Sequence, residues 1–192
     1  MRSELQILVA LASVVVAAVA VTAHAGPVSD LYRGGAFGLP WNASSGAIEA
    51  KYPGGQWDTD TEGHKRYCAP TRQPLLQLPH QTRELCFLIG SDGTMASVTA
   101  KMDASLASLL AVVNRSRTRF GDFDAVKREE GKIQSAYTYM LWTRDVPYVV
   151  QVASANDPNG APMDVTFTIA DEAALHTKGM TAVTNKPNAQ GK

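Results

Sequence analysis

The polar run DTDTEGH at 58–64 is the best candidate for chemistry in the sequence. Asp58 and Asp60 place carboxylates at alternating positions, as at the start of an EF-hand calcium loop, and His64 adds an imidazole. The twelfth position of such a loop requires a bidentate Glu, but Ala69 stands there, so an EF-hand is excluded. A looser metal site of Asp58, Asp60 and His64 is the weaker hypothesis, and a solvated loop is the favoured one. No cofactor is predicted.

Signals of catalysis are otherwise sparse. The sequence has no G-x-S-x-G nucleophile elbow, and His64, His80 and His176 lack the short spacing of a zinc site. The carboxylates at 122–130 alternate with basic residues, which favours a salt-paired surface over a glycosidase pair. An enzyme is therefore the less favoured hypothesis. Its most concrete form is a hydrolase or metal-dependent enzyme centred on His64.

Large aromatic residues are the candidates for binding. They are Trp41, Trp57, Tyr137, Tyr139, Trp142 and Tyr148. Trp and Tyr are enriched in the hot spots of protein interfaces, but the same residues also anchor cores. Core packing is the favoured interpretation for Trp41 and Trp57. In the strand predicted at 136–143, alternation places Tyr137 and Tyr139 on the face opposite Trp142.

The first 25 residues are typical of a secretory signal peptide. Arg2 precedes a long apolar run, and Ala23-His24-Ala25 forms an A-x-A cleavage triplet. The alternative is an uncleaved anchor helix, because the apolar run approaches spanning length. Cleavage predicts an exported protein, periplasmic or secreted, that keeps no membrane span.

Charge and cysteine content agree with export. The sequence has 18 basic and 18 acidic residues and no basic block, so neither nucleic acid nor an anionic membrane is predicted as a partner. Cys68 and Cys86 predict one disulfide, which would stabilise the fold by about 3 kcal/mol in the chain-entropy model. The alternative is a pair of free thiols, but no C-x-x-C motif is present.

Periodicity predicts two helices and five strands. The first helix starts at a cap on Ser44 or Ser45 and stops before Pro53, and the second runs from a cap at Asp103 to Phe120-Gly121. The strands are predicted at 83–89, 95–102, 136–143, 148–153 and 164–169.

This order of elements predicts an α+β fold, with a mostly antiparallel sheet of about five strands and two helices packed on one face. We expect a signal peptide at 1–25, a leader at 26–36, a single domain at 37–170 and a flexible tail at 171–192. The two halves share a helix-then-strands plan, without a repeat at the level of residues.

The region 37–169 resembles small exported bacterial proteins of unassigned activity. In those proteins a Trp-Gly-x-Ser start leads a helix, a hairpin follows, and a second helix ends in Phe-Gly before a strand with a Trp. The matching pieces here are FGLPWNAS at 37–44, the hairpin at 87–93, Phe120-Gly121, Trp142 and the strands at 148–169. Asn42 departs from the pattern, which has Gly there. The resemblance implies a non-enzymatic module that binds a protein or envelope component.

Overall fold

The computed structural model describes residues 26–60, 63–78, 82–130, 136–145 and 147–172. The signal peptide expected at 1–25 and nearly all of the expected tail lie outside these residues. The elements in chain order are α1 (Pro27–Tyr32), α2 (Ser45–Lys51), β1 (Gln56–Thr59), β2 (Lys65–Pro70), β3 (Glu84–Ile89), β4 (Met95–Met102), α3 (Leu106–Phe120), β5 (Ala125–Glu130), β6 (Ala136–Trp142), β7 (Tyr148–Asn156) and β8 (Pro162–Asp171). Helix α1 lies within the segment that we expected to be a leader.

The predicted fold class is wrong. The strands form one eight-stranded sheet in the order β1-β2-β3-β4-β8-β7-β6-β5, and every neighbouring pair is antiparallel. With three short helices beside it in the described residues, the structure is predominantly β, rather than α+β with five strands and two helices. The five strands predicted from the sequence correspond to β3, β4, β6, β7 and β8 of the structure.

The missed strands are β1, β2 and β5. Strands β1 and β5 form the two edges of the sheet, where all four residues of β1 and five of the six residues of β5 are exposed. Such strands need no apolar alternation, so they lack the signal from which strands are predicted. Strand β2 also has polar and exposed ends. These segments form strands because a neighbouring strand offers them backbone hydrogen bonds.

The sheet is symmetric in its topology. Helix α2 precedes β1 to β4, helix α3 precedes β5 to β8, and the last strands of the two halves pair at the centre. The central pair is joined across one face by Thr99 and Thr168, whose hydroxyl oxygens lie 3.0 Å apart. The helix-then-strands plan expected from the sequence is therefore a repeat of connectivity.

One face of the sheet, the inner face, packs against all three helices. Its central side chains include Leu85, Phe87, Val98, Phe167 and Ile169, which are fully buried. Val28 of α1, Ile48 of α2 and Val112 of α3 belong to the same apolar cluster. Burying each such side chain contributes roughly 1.5–3 kcal/mol, so this cluster is the main source of stability.

Serine hydroxyls cap both longer helices. The Ser44 hydroxyl accepts a hydrogen bond from the Ala47 N–H at 3.3 Å, which confirms the predicted start of α2. The cap of α3 is Ser105, whose hydroxyl accepts from the Ser108 N–H at 3.1 Å, and not Asp103 as predicted. The predicted end of α3 at Phe120-Gly121 is confirmed.

Within the described ranges, none of the helices combines the length and the apolar character needed to cross a lipid bilayer.

Replacing Gly35 with alanine is expected to lower the free energy of unfolding by about 2 kcal/mol or more. Gly35 has a φ of +126°, and a Cβ there would overlap the carbonyl oxygen of Leu39. The control is Gly46→Ala in α2, where a Cβ would meet nothing within 4 Å. That change should stabilise the protein by about 0.5–1 kcal/mol. Urea unfolding of both variants checks the pair, and equal midpoints would contradict it.

Candidate binding face of the sheet

The second face of the sheet, the outer face, differs from the inner face in composition. Its centre carries Ser97, Thr99, Thr168 and Gln151. None of the described helices contributes to the small buried cluster on this face, which consists of Ala96 and Ala170 with Leu88 against it. Antiparallel sheets commonly leave one face polar, and a polar sheet face of this width can also receive a partner.

Two tyrosines of β6 lie on the outer face. The rings of Tyr137 and Tyr139 stack, with centroids 6.5 Å apart and an interplanar angle of 12°. The hydroxyl of Tyr139 is buried, and it has no hydrogen-bond partner within the described part of the chain. Burial, reinforced by Glu129 and by Tyr137, raises the pKa of Tyr139. The hydroxyl therefore stays neutral at physiological pH and can still accept or donate one hydrogen bond.

A shallow groove runs beside these tyrosines. Ala153 and Ala155 on β7 lie opposite Tyr139 and Tyr137, and on their other side they face Thr166 and Asp164 of β8. Because the alanines project only a methyl group, a gap about 10 Å wide, twice the strand spacing, is left between the walls. We call this feature the alanine groove, and its residues are Tyr137, Tyr139, Ala153, Ala155, Asp164 and Thr166.

One end of the alanine groove is acidic. The register places Asp164, Ala155, Tyr137 and Glu129 in one row across β8, β7, β6 and β5. Glu129 lies next to Tyr137, and Asp164 lies on the far side of Ala155, where partial burial raises the pKa of its carboxyl. Carboxylates next to an aromatic ring favour a guanidinium or ammonium group, through charge-assisted hydrogen bonds and cation–π attraction.

Trp142 and Tyr148 lie on the inner face, apart from the two tyrosines of β6. Both are buried in the main apolar cluster, which confirms that Tyr137 and Tyr139 lie opposite Trp142. The indole N–H of Trp142 donates to the Gly121 carbonyl at 2.9 Å. The Tyr148 hydroxyl lies 3.3 Å from the carbonyl oxygen of Arg33, next to α1.

The other two tryptophans also lie on the inner-face side. Trp41 is half-buried, donates its indole N–H to the Tyr32 carbonyl at 2.8 Å, and stacks on Tyr148 with centroids 5.9 Å apart. Trp57 is 41% exposed and packs against Tyr67 at 5.1 Å, and its indole N–H donates to the Glu49 carboxylate. Neither tryptophan joins the outer-face tyrosines.

The weak metal candidates lie in and beside the β1–β2 hairpin. Both Asp58 carboxylate oxygens accept from the Arg66 guanidinium, at 2.9 and 2.6 Å. These hydrogen bonds lower the pKa of Asp58, and its slight burial opposes them. Asp60 accepts from the His64 backbone N–H at 2.8 Å and lies 3.2 Å from its ring Nδ1. A metal ion would have to displace Arg66 to use Asp58.

The predicted disulfide is confirmed. Cys68 and Cys86 lie directly opposite each other on β2 and β3, and their sulfur atoms are bonded. The alternative of two free thiols is therefore wrong. Beside the disulfide on the outer face, the Glu84 carboxylate lies 2.6 Å from the Lys101 ammonium. Glu84 and the two cysteine sulfurs lie close together, but the disulfide makes both sulfurs poor metal ligands.

The alanine groove was not found from the sequence. Alanines at 153 and 155 carry no chemical signal, and Asp164 looked like one polar residue of an alternating strand. Only the register across β6, β7 and β8 brings them beside the tyrosines. Comparison of the chain with models of known protein families finds no match, and a search of curated proteins finds no similar sequence.

Proposed function

We propose that this protein is an exported, non-enzymatic binding module that holds a protein partner of the cell envelope or exterior on the outer face of its sheet. The observation that carries the proposal is the alanine groove, which is open between strands, walled by stacked tyrosines and acidic at one end. The disulfide supports export, because such bonds persist in oxidising compartments.

The groove suits one long basic side chain of the partner. The aliphatic stem of a Lys or Arg would lie over Ala153 and Ala155 and against the Tyr137 ring. Its charged head would meet Asp164 and Glu129. Long basic side chains pack in this way, with an apolar stem and a polar tip. Tyr139 stacks on Tyr137 as part of the same wall, and its hydroxyl is buried and makes no contact with the partner.

A binding module is favoured over the hydrolase or metal-dependent enzyme centred on His64. The carboxylate of Asp58 is held by Arg66, and that of Asp60 turns towards the backbone of its own hairpin. These contacts give the carboxylates a structural role in joining β1 to β2. The outer-face tyrosines lie outside the main apolar cluster of the inner face.

Replacing Ala155 with leucine is expected to weaken partner binding at least tenfold, because the added side chain fills the floor of the groove. Ala155 is half-buried at the surface of β7, so the thermal midpoint should change by less than about 2 °C. The test is a pull-down with the purified, oxidised protein from an envelope extract of its native host. Mass spectrometry of the captured proteins compares the variant with the wild type.

The matched control is Ala50→Leu, which makes the same change at an exposed position of α2 on the helical side. It should leave capture unchanged. Asp164→Asn is the second test variant, and it should weaken capture by removing one of the two carboxylates. Capture that is equal in the wild type, Ala155→Leu and Asp164→Asn would contradict the proposal.

A further inference from the structure

The carboxylate of Asp145, in the β6–β7 loop, forms hydrogen bonds with the beginning of α1. Its oxygens accept from the backbone N–H of Gly26 at 2.9 Å, the backbone N–H of Ser29 at 2.7 Å and the Ser29 hydroxyl at 2.7 Å. These contacts join positions 116 and 119 residues apart in the chain. Asp145 therefore holds the first described residues of the protein on the end of the sheet.

The approach of Asp145 to Gly26 leaves no room for a side chain. A Cβ at residue 26 would lie 2.7 Å from the carboxyl carbon of Asp145. Downstream of this contact, Val28 and Tyr32 are buried in the main cluster, and the Tyr32 ring lies 6.5 Å from that of Phe167. The segment from Gly26 to Tyr32 is thus part of the packed structure.

Gly26 is also the residue that follows the Ala23-His24-Ala25 triplet. We propose that processing after Ala25 creates an α-ammonium group at Gly26 and that Asp145 is its binding site, so that removal of the leader completes the fold. This inference rests on the predicted cleavage and not on the proposed binding function.

The chemistry of this step balances. A processing peptidase adds one water molecule across the Ala25–Gly26 amide bond, which breaks the C–N bond. The carbonyl carbon gains the water oxygen and leaves as the Ala25 carboxylate, and the nitrogen keeps its one proton, takes both protons of the water and becomes the Gly26 ammonium. The 2.9 Å contact to Asp145 then changes from a neutral donor to a charged donor. Because the carboxylate already makes this a charge-assisted hydrogen bond, the gain on cleavage is the Coulomb attraction between the new positive charge and Asp145.

The other charged groups near this contact interact with residues other than Gly26. Asp30 and Arg33 of α1 lie 3.6 Å apart, and Arg144 pairs with Asp124. Asp171 acts on Tyr148, whose pKa is raised by burial first and then by Asp171. Glu172 donates its backbone N–H to the Pro147 carbonyl at 2.7 Å. Asp145 is the carboxylate that contacts the Gly26 nitrogen directly.

The sign of the pH dependence follows from this pairing. Burial raises the pKa of Asp145, but the hydrogen bonds from Ser29 and Gly26 outweigh it and lower that pKa overall. Its stabilisation is present above the ordinary carboxyl pKa and is lost as pH falls through the lowered one. Asp145 would raise the pKa of the Gly26 ammonium, so that contribution is present below the ordinary α-amino pKa and is lost as pH rises through the raised one.

The experiment starts from the full chain, expressed with its own leader in a bacterium that exports it. Intact mass and N-terminal peptide mass identify the first residue of the product, which should be Gly26. The rate at which a limiting acylating reagent modifies the α-amine at pH 7 is then measured, with lysine amines as the internal reference. The α-amine should react about tenfold more slowly in the wild type than in Asp145→Asn, because a paired ammonium is deprotonated less often.

The matched control is Asp157→Asn, in the β7–β8 turn. The Asp157 carboxylate also accepts from two backbone N–H groups, those of Asn159 at 2.9 Å and Ala161 at 2.8 Å. Its loss should leave the α-amine rate unchanged. A retained leader, a first residue other than Gly26, or equal rates in the wild type and Asp145→Asn would each overturn the inference.

If the Asp145→Asn variant does not fold and accumulate, a second measurement on the wild type tests the inference. Acylation of the Gly26 α-amine in the wild type removes the charge and leaves an amide N–H in place. The acylated form should melt about 3 °C lower than a sample acylated only on lysines, and an equal midpoint would overturn the inference. Neither measurement involves the alanine groove, so failure here is distinguishable from failure of the proposed function.

Discussion

Replacing Leu85 with alanine is expected to lower the free energy of unfolding by about 3–4 kcal/mol. Leu85 is fully buried on the inner face of β3, and its neighbours in the row across the sheet are Ala69 on β2 and Ala100 on β4. Both neighbours are alanines, so the leucine side chain fills the space above three strands. Adjacent methyl groups are too short to collapse into the cavity, which places the cost in the upper part of the range for such substitutions.

The matched control for Leu85→Ala is Leu110→Ala on α3. Leu110 is 52% exposed, and alanine is an excellent helix former, so this change should alter stability by less than about 0.5 kcal/mol. Urea unfolding followed by circular dichroism gives both values at one temperature. If Leu85→Ala cost less than about 1 kcal/mol, the packing of β3 against the helices would be contradicted.

Loss of the disulfide is the second large effect, and we expect it to cost about 3 kcal/mol. The bond joins residues 18 positions apart, and a closed loop of that length restricts the unfolded chain strongly in the chain-entropy model. The loop contains the segment between β2 and β3, whose described residues lie outside the helices and strands. Without the bond, this segment gains freedom in the unfolded state while the folded pairing of β2 with β3 stays the same.

The test is the double variant Cys68→Ala with Cys86→Ala, compared with the wild type under oxidising and reducing conditions. Alanine is preferred to serine because Cys86 is buried, and a hydroxyl there would need a partner. A reductant should lower the unfolding midpoint of the wild type and leave that of the double variant unchanged. Equal wild-type midpoints with and without complete reduction would show that the bond does not contribute to stability.

The topological symmetry of the sheet does not extend to the residues of its outer face. Across the central pair of strands, the place that Ala153 and Thr166 take in the second half is taken in the first half by Glu84 and Lys101. Their 2.6 Å ion pair covers β3 and β4, whereas Ala153 covers β7 with only a methyl group. The first half carries the disulfide and the second half carries the groove, so the disulfide and the proposed binding surface lie in different halves of one face.

Because the disulfide and the groove lie on different strands, the disulfide variant and Ala155→Leu should have separate effects on stability and on capture. Loss of the disulfide should lower stability without changing capture of a partner by the folded protein. Ala155→Leu should have the opposite pattern. The expected difference follows from position, because Cys86 on β3 and Ala155 on β7 are separated by β4 and β8 in the sheet.

The sequence determined the parts of this protein whose signals are local. Alternation located five of the six inner strands, all except β2, and it placed Tyr137 and Tyr139 opposite Trp142, because burial on one face repeats every second residue. Serine and glycine signals located α2 and the end of α3. Two cysteines in a chain with an export-like leader were enough to predict their bond.

The tertiary structure decided whatever depends on long-range pairing. Strands β1 and β5 are exposed edges, so their residues carry no periodic pattern, and they are strands only because β2 and β6 lie beside them. The segment expected to be a leader contains a helix because Asp145, more than a hundred residues away, binds its first residues. The alanine groove exists only through the register of three strands. The surface residues of each strand do not reveal the groove, because the register is set by the buried apolar pattern and by the turns that join the strands.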